Sequence, residues 1–378
     1  MYNEILIRYG ELVLKGDNRK LFTRQLKDNI EAILKTEVDA QYDRMFVNYD
    51  ETYLNKLIYI PGISTISPVL KVEKNLDEVK AILEKIIDPN YKTFKVSARR
   101  NDKTFEFSSD EINRNLGSYI IQNFNLKVDL HNPDLNLIIE VRKDGIYIID
   151  KIINGLSGLP VSVSGKVIHL LSGGFDSPVA AIDLMKRGVK VIFLAFITPP
   201  HTDENTVAKL RDLMKVFTKY QGRSKIYITE YTDLMNYIGL TSDQSYKITL
   251  MRRSFMRLAN KLARNEKALA ISTGENLAQV ASQTLESLNT IASESNLEII
   301  RPLITENKND IINRSKKYLT HDISIKQCSE SCELFAPKQP VIRPNITRAK
   351  QLEDELNEIN EFEKKVVSSF KAEFFEVE

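Results

Sequence analysis

A chain of 378 residues that is 42% hydrophobic can fill two or three cores, and its 14 glycines and 12 prolines exclude a low-complexity or collagen-like chain. A formal net charge of +2 excludes a global basic field, so any nucleic-acid contact must come from local patches. With two cysteines, Cys328 and Cys332, there is no disulfide framework, no basic leader opens the chain and no apolar run is long enough to span a membrane; the expectation is a soluble, cytoplasmic protein with no membrane partner.

Residues 2–9 alternate as a short strand, and Arg8-Tyr9-Gly10-Glu11-Leu12-Val13-Leu14-Lys15-Gly16 follows as a turn-rich connection to a helix over 18–34. From about Leu54 the pattern changes. Phe94–Arg100 and Thr104–Phe107 read as paired strands around the turn 101–103, and Ser109–Gln122 reads as a capped helix with an apolar stripe. Strands are predicted over 126–130, 135–141 and 145–151, the last two joined at Asp144-Gly145. Arg99, Arg100, Lys103 and Arg114 form either a basic edge for RNA or ordinary surface charge. The small residues of 154–165 read as an inter-domain linker.

Beyond that linker, strands and helices alternate: strand 167–171, helix 177–187, strand 190–196, helix 203–220, strand 224–229, helix 244–264 and strand 268–273. Such alternation predicts a doubly wound parallel sheet with its ligand site at the carboxyl ends of the strands. Three features fall at those ends: Ser172-Gly173-Gly174-Phe175-Asp176-Ser177, Ala195-Phe196, and Gly274. Strand, glycine turn and helix aim backbone N–H groups at an anion. The glycines allow close approach to a phosphate, Ser172 and Ser177 offer hydroxyls, and Asp176 suits magnesium better than phosphate, so a nucleotide with Mg2+ is expected. The loop lacks the Gly-Lys-Ser/Thr of a Walker A sequence. It resembles the PP-loop of enzymes that cleave ATP between the α and β phosphates.

In helix 244–264 the stripe Ile248, Met251, Phe255, Leu258, Leu262 reads as core, with Arg252, Arg253, Arg257, Lys261 and Arg264 on the other faces. Arg252 can reach a phosphate or face solvent. Residues 273–284, dense in hydroxyls and amides, suit a helix cap or a nucleoside. The Cys328-x3-Cys332 pair lacks the companions of a zinc site, leaving reactive and inert thiols both open. Residues 347–374 read as one charged helix.

Taken together, Arg8–Gly16, the 94–117 region, Leu171-Ser-Gly-Gly-Phe-Asp-Ser-Pro-Val-Ala180 and Thr273-Gly-Glu-x-Leu-x-Gln-Val-Ala-Ser-Gln-Thr-Leu285 resemble the tRNA 4-thiouridine synthase (tRNA uridine 4-sulfurtransferase) family. The resemblance implies a multidomain α/β and α+β chain. Its parts would be an N-terminal ferredoxin-like element (1–53), a THUMP RNA-binding domain (54–157), a PP-loop ATP pyrophosphatase domain (158–345) and a helical tail (346–378). It implies ATP-dependent adenylylation of the carbon-4 oxygen of uridine at position eight of tRNA, followed by attack of a persulfide sulfur. Leu170, Leu171, Ala195, Phe196, Arg252, Gly274 and Gln283 would hold the nucleotide, with Ser172, Gly173, Gly174, Asp176 and Ser177 around its phosphates and Asp176 on the metal. Cys332 matches the family's reactive cysteine, with Cys328 auxiliary.

Two departures accompany the resemblance. Ala195 stands where the family commonly has histidine, and the rhodanese-like domain that ends many members is not expected here, so a cysteine desulfurase would load a cysteine of the PP-loop domain. A homodimer and a second sulfur outlet, into the thiazole of thiamine through a sulfur carrier protein, are further implications of the family. Two other readings stay open: a PP-loop ligase or amidotransferase acting on a small molecule, and a tRNA-binding module without turnover.

Overall fold

The computed structural model describes residues 2–14, 16–327 and 335–377, and the chain divides after Gly158 into two units. In the first, β1 (Glu4–Tyr9), α1 (Arg19–Leu34), β2 (Asp39–Ala40), β3 (Arg44–Asn48) and α2 (Glu51–Leu57) precede the long strand β4 (Ile63–Val72). Then come α3 (Leu76–Ile86), β5 (Thr93–Arg100), α4 (Ser109–Phe124), β6 (Lys127–Val128), β7 (Leu135–Arg142), β8 (Gly145–Ile149) and β9 (Ile153–Asn154). Their sheet has the order β2-β3-β1-β4-β8-β7-β5-β6, with β9 also on β4. One strand therefore serves two halves: β4 pairs with β1 through Ile63–Val69 and with β8 through Leu70–Val72. The stripe Ile112, Leu116, Ile120 of α4 and Leu76, Val79, Leu83 of α3 packs with Leu137, Ile139 and Val141 of β7. A reciprocal capping box between Ser108 and Glu111 starts α4, one residue before the predicted cap.

Residues 104–107 correct the sequence reading. They form no strand, and β5 pairs in parallel with β7 and β6. The side chain of Asp102 accepts from the Thr104 N–H (3.0 Å) and Oγ1 (2.6 Å), an Asx turn that diverts the chain before a ladder can start. Phe105 is buried and meets Phe107 edge-on, so their alternation reflects packing beneath α4.

The second unit runs β10 (Lys166–Leu170), α5 (Asp176–Lys186), β11 (Lys190–Ile197), α6 (Glu204–Gln221), β12 (Arg223–Glu230), α7 (Thr232–Ile238), α8 (Lys247–Glu266), β13 (Ala270–Ser272), α9 (Leu285–Ala292), β14 (Glu298–Ile300), α10 (Lys308–Lys317) and α11 (His321–Ser324). The predicted terminal helix is instead two helices, Ile346–Glu355 and Ile359–Ser368, followed by the strand β15 (Ala372–Glu376). The sheet order is β14-β13-β10-β11-β12-β15, parallel except for β15, which runs antiparallel beside β12. Strand order reverses between β10 and β13, so the crevice beyond their carboxyl ends is the topological switch point at which ligands bind in such sheets.

On α8 the basic residues are not all solvated. Arg253 is fully buried, donating to the Glu353 carboxylate at 2.8 and 3.0 Å, to Glu294, and to the Thr290 carbonyl at 2.8 Å. Arg257 joins the same acids and Glu363, so this network fastens both terminal helices to the rest of the second unit.

Candidate active site

At the switch point lies a cavity of about 220 Å³. Its lining includes Leu170, Leu171, Ser172, Gly173, Asp176, Ser177, Phe196, Arg252, Gly274 and Gln283, ten of the positions expected to bind nucleotide or metal. Gly174 is turned away, its carbonyl accepting from Ser324 Oγ at 3.0 Å. Ala195 is buried in β11, so its contribution is backbone and space. Cys328 and Cys332 lie outside the described residues.

The loop from β10 to α5 is braced from within. Ser172 N–H donates to Ser177 Oγ (2.9 Å), the Ser177 hydroxyl donates to the Ser172 carbonyl (3.1 Å), and Gly174 N–H reaches Ser172 Oγ (3.4 Å). Below, the fully buried His169 lies 2.9 Å through Nε2 from the Ser177 carbonyl and 3.1 Å through Nδ1 from Ser272 Oγ. Burial pushes the imidazole down to about 4, so the ring is neutral at physiological pH, Nε2–H donating to the carbonyl and Nδ1 accepting from the serine.

Gly274 is required by close approach. A Cβ there would lie 2.6 Å from both Ser177 N and Ser177 Cα, so the chain just after β13 presses directly on the first turn of α5. Next to it, Glu275 gathers cations: Oε1 accepts from Arg252 Nη1 (3.1 Å), and Oε2 accepts from Arg301 Nε (2.8 Å) and Thr273 Oγ1 (2.9 Å). Arg252 is thereby held at the cavity wall. Phe196 and Phe255 stack at 4.1 Å and 6°, giving the cavity an aromatic side suited to a nucleobase. Gln283 is buried, and its Oε1 has no hydrogen-bond partner among the described residues, an acceptor available to a ligand.

Further side chains reach the site, and some of them carry no sequence signal. Lys308, at the start of α10, donates to both oxygens of Asp176 at 2.7 and 2.9 Å, and Gln279 reaches the same carboxylate at 3.2 Å. Lys308 is 132 positions from its partner, in a helix that reads only as polar. Thr202 and Thr206, also in the lining, come from the connection after β11 and the start of α6. No group of three His, Cys, Asp or Glu side chains that could hold a metal ion occurs among the described residues. A single carboxylate beside a phosphate cradle fits Mg2+, which commonly takes one or two carboxylates and completes its shell with substrate phosphates and water.

The family description "Thiamine biosynthesis protein (ThiI)" matches residues 162–358, the THUMP domain 73–149, and the ThiI ferredoxin-like domain 4–67. A chain from Mycoplasmopsis pulmonis named "Probable tRNA sulfurtransferase" is 57% identical over 372 residues, 97% of this chain and 98% of its own. One of the same name from Staphylococcus saprophyticus is 39% identical, over 93% of this chain and 90% of its own. Among solved structures, a 4-thiouridine synthetase–RNA complex with bound ATP matches with a TM-score of 0.93 and 38% identity, covering 100% of both chains. No helix of the described residues is long and apolar enough to cross a membrane. The chain belongs to the ThiI family, with ferredoxin-like, THUMP and ThiI PP-loop domains.

Proposed function

We propose that this protein converts the uridine at position eight of tRNA to 4-thiouridine. The observation that carries the reading is the braced Ser172–Ser177 loop at the switch point, with Asp176 and Lys308 at its mouth and Arg252 across the cavity. In the first step the carbon-4 oxygen of uridine attacks the α-phosphorus of ATP, and pyrophosphate leaves. The loop amides and the start of α5 stabilise charge on the phosphates, and Arg252, oriented by Glu275, adds a fixed cation. Bound Mg2+ would be held by Asp176 and would neutralise charge on the departing pyrophosphate. Lys308, already at this carboxylate, supplies a mobile positive charge to the same region.

In the second step the terminal sulfur of a persulfide on Cys332 attacks carbon 4 and AMP leaves. The Cys328 thiolate then attacks the Cys332 sulfur, releasing 4-thiouridine and leaving a disulfide that an external thiol reduces. A cysteine desulfurase supplies the persulfide. Residues 1–53 and 54–157 serve as the ferredoxin-like and THUMP parts that bind tRNA, 158–345 as the catalytic part and 346–378 as its helical and strand extension. The family's description supports a link to thiamine biosynthesis, which we read as a second sulfur outlet through a sulfur carrier protein.

The test is pyrophosphate release measured with and without tRNA. Release that depends on tRNA is expected, and Asp176→Ala should lower it by about 10² to 10³ while tRNA affinity is kept. Release stimulated only by a small-molecule acceptor favours a ligase or amidotransferase. Failure of ATP to turn over at all leaves only a tRNA-binding module.

A further inference from the structure

The front of the phosphate loop faces the cavity; its back is held by one short stretch of chain. Three consecutive loop residues touch that stretch or the side chain that grips it. The stem of Lys209, on α6, packs under Gly173, where a Cβ would lie 3.1 Å from Lys209 Cδ and 3.2 Å from Cε. The carbonyl of Gly174 accepts from Ser324 Oγ at 3.0 Å. The ring of Phe175 lies 5.6 Å from that of His321. Lys209 itself is buried, and its ammonium donates to the carbonyls of Ser324 (2.9 Å) and Lys326 (2.8 Å). A desolvated ammonium is costly unless its protons are matched, so these bonds fix the path of residues 324–326. Lys326 is fixed again by Asp212 of α6, at 2.8 Å. In sequence, Cys328 follows Lys326 by two positions and Cys332 by six.

We propose that Lys209 and Ser324 are positioning residues for sulfur delivery, setting the start of the cysteine-bearing segment directly from the phosphate loop. This rests on the reading that the cysteines carry the sulfur. A loop that cradles the phosphates of ATP then determines both where uridine is activated and where the chain toward the cysteines departs. Loss of the joint leaves activation in place and misdirects the second step.

The experiment compares Lys209→Met and Ser324→Ala with the unaltered chain. ATP affinity, tRNA-dependent pyrophosphate release and 4-thiouridine yield are measured with two sulfur sources, a desulfurase with cysteine and free sulfide. With desulfurase, thiouridine per pyrophosphate should fall about tenfold in Lys209→Met and less in Ser324→Ala, because small misplacements of a reacting group cost one to two orders of magnitude. With free sulfide the ratio should return to that of the unaltered chain, which a general loss of structure would not produce. An unchanged ratio with desulfurase overturns the proposal. So does loss of ATP binding in both variants, since the two residues would then serve the nucleotide. Cys332→Ser tests the underlying reading separately: normal desulfurase-fed thiolation by that variant removes the cysteine route whatever Lys209 does.

Discussion

Replacing Gly274 by alanine places a methyl group 2.6 Å from Ser177 N and Cα and 2.8 Å from the Asp176 carbonyl carbon. These are backbone atoms, and ordinary contact begins near 3.4 Å, so the start of α5 must retreat by roughly 0.8 Å. It cannot do so freely. The Ser177 carbonyl is fixed to His169 at 2.9 Å, and its hydroxyl is tied to both the N–H and the carbonyl of Ser172. Overpacking of this kind costs about 1–3 kcal/mol. In a unit of this size each kcal/mol corresponds to about 2–4 °C, so Tm should fall by roughly 2–12 °C. The retreat also displaces Asp176 and the phosphate cradle, and a shift near 1 Å lowers the rate on the order of 100-fold. Thermal unfolding by circular dichroism and tRNA-dependent pyrophosphate release read the two effects. Gly173→Ala is the comparison, because the added methyl meets only side-chain atoms of Lys209, at 3.1 Å, which must give by a few tenths of an ångström, so its melting should fall less than that of Gly274→Ala. Wild-type melting and turnover in Gly274→Ala, or greater destabilisation by Gly173→Ala, would refute the contact argument.

His169 links this same brace to pH. With a folded value of about 4 against 6.5, the unfolded chain takes up the proton first; stability is whole above about pH 6.5, falls as pH drops toward 4, and loses nothing further from this group below that. The ceiling is about 3 kcal/mol, and urea midpoints across that range should show the decline, flattened in His169→Asn. Arg253→Met should destabilise the second unit by about 1–3 kcal/mol, since it removes the buried bonds to Glu353, Glu294 and the Thr290 carbonyl and leaves Arg257 as the remaining cation of both acids; a denaturant midpoint unchanged from wild type would contradict that role. Reversing the exposed Arg99, Lys103 and Arg114 to glutamate should weaken tRNA binding and flatten its salt dependence by about one unit of slope per lost phosphate contact, with ATP affinity unchanged. Equal affinity and slope in filter binding would make this edge ordinary surface.

The nucleotide half was readable because its physics is local. Strands buried on both faces are continuous apolar runs, such as Val191–Ala195, and the helices between them carry regular stripes. The Ser172–Ser177 loop stands out by glycine, serine and acid within six residues. Where partners are distant in sequence, the signal disappears. Strand β4 contains Pro68, which argues against a central strand, yet β4 lies between β1 and β8. Arg253 looks like one more surface cation until three elements close around it. Lys308 and Lys209 join the site through pairings 132 and more than 110 residues long, which no periodicity records. The alternation at 104–107 was real but belonged to packing under a helix, and only the Asx turn at Asp102 distinguishes the two.

The antiparallel strand β15 bears on how copies of this molecule behave at high concentration. Without it, β12 would offer a row of open N–H and C=O groups next to Ile226 and Ile228, a template for another chain's strand. The strand that covers it carries Glu373 and Glu376, the first held bidentately by Arg211. At the opposite margin, β14 is only three residues long and begins with Glu298. A strand from a neighbouring copy approaching either margin meets carboxylates or runs out of ladder, so the sheet that carries the candidate site is closed to zippering with itself.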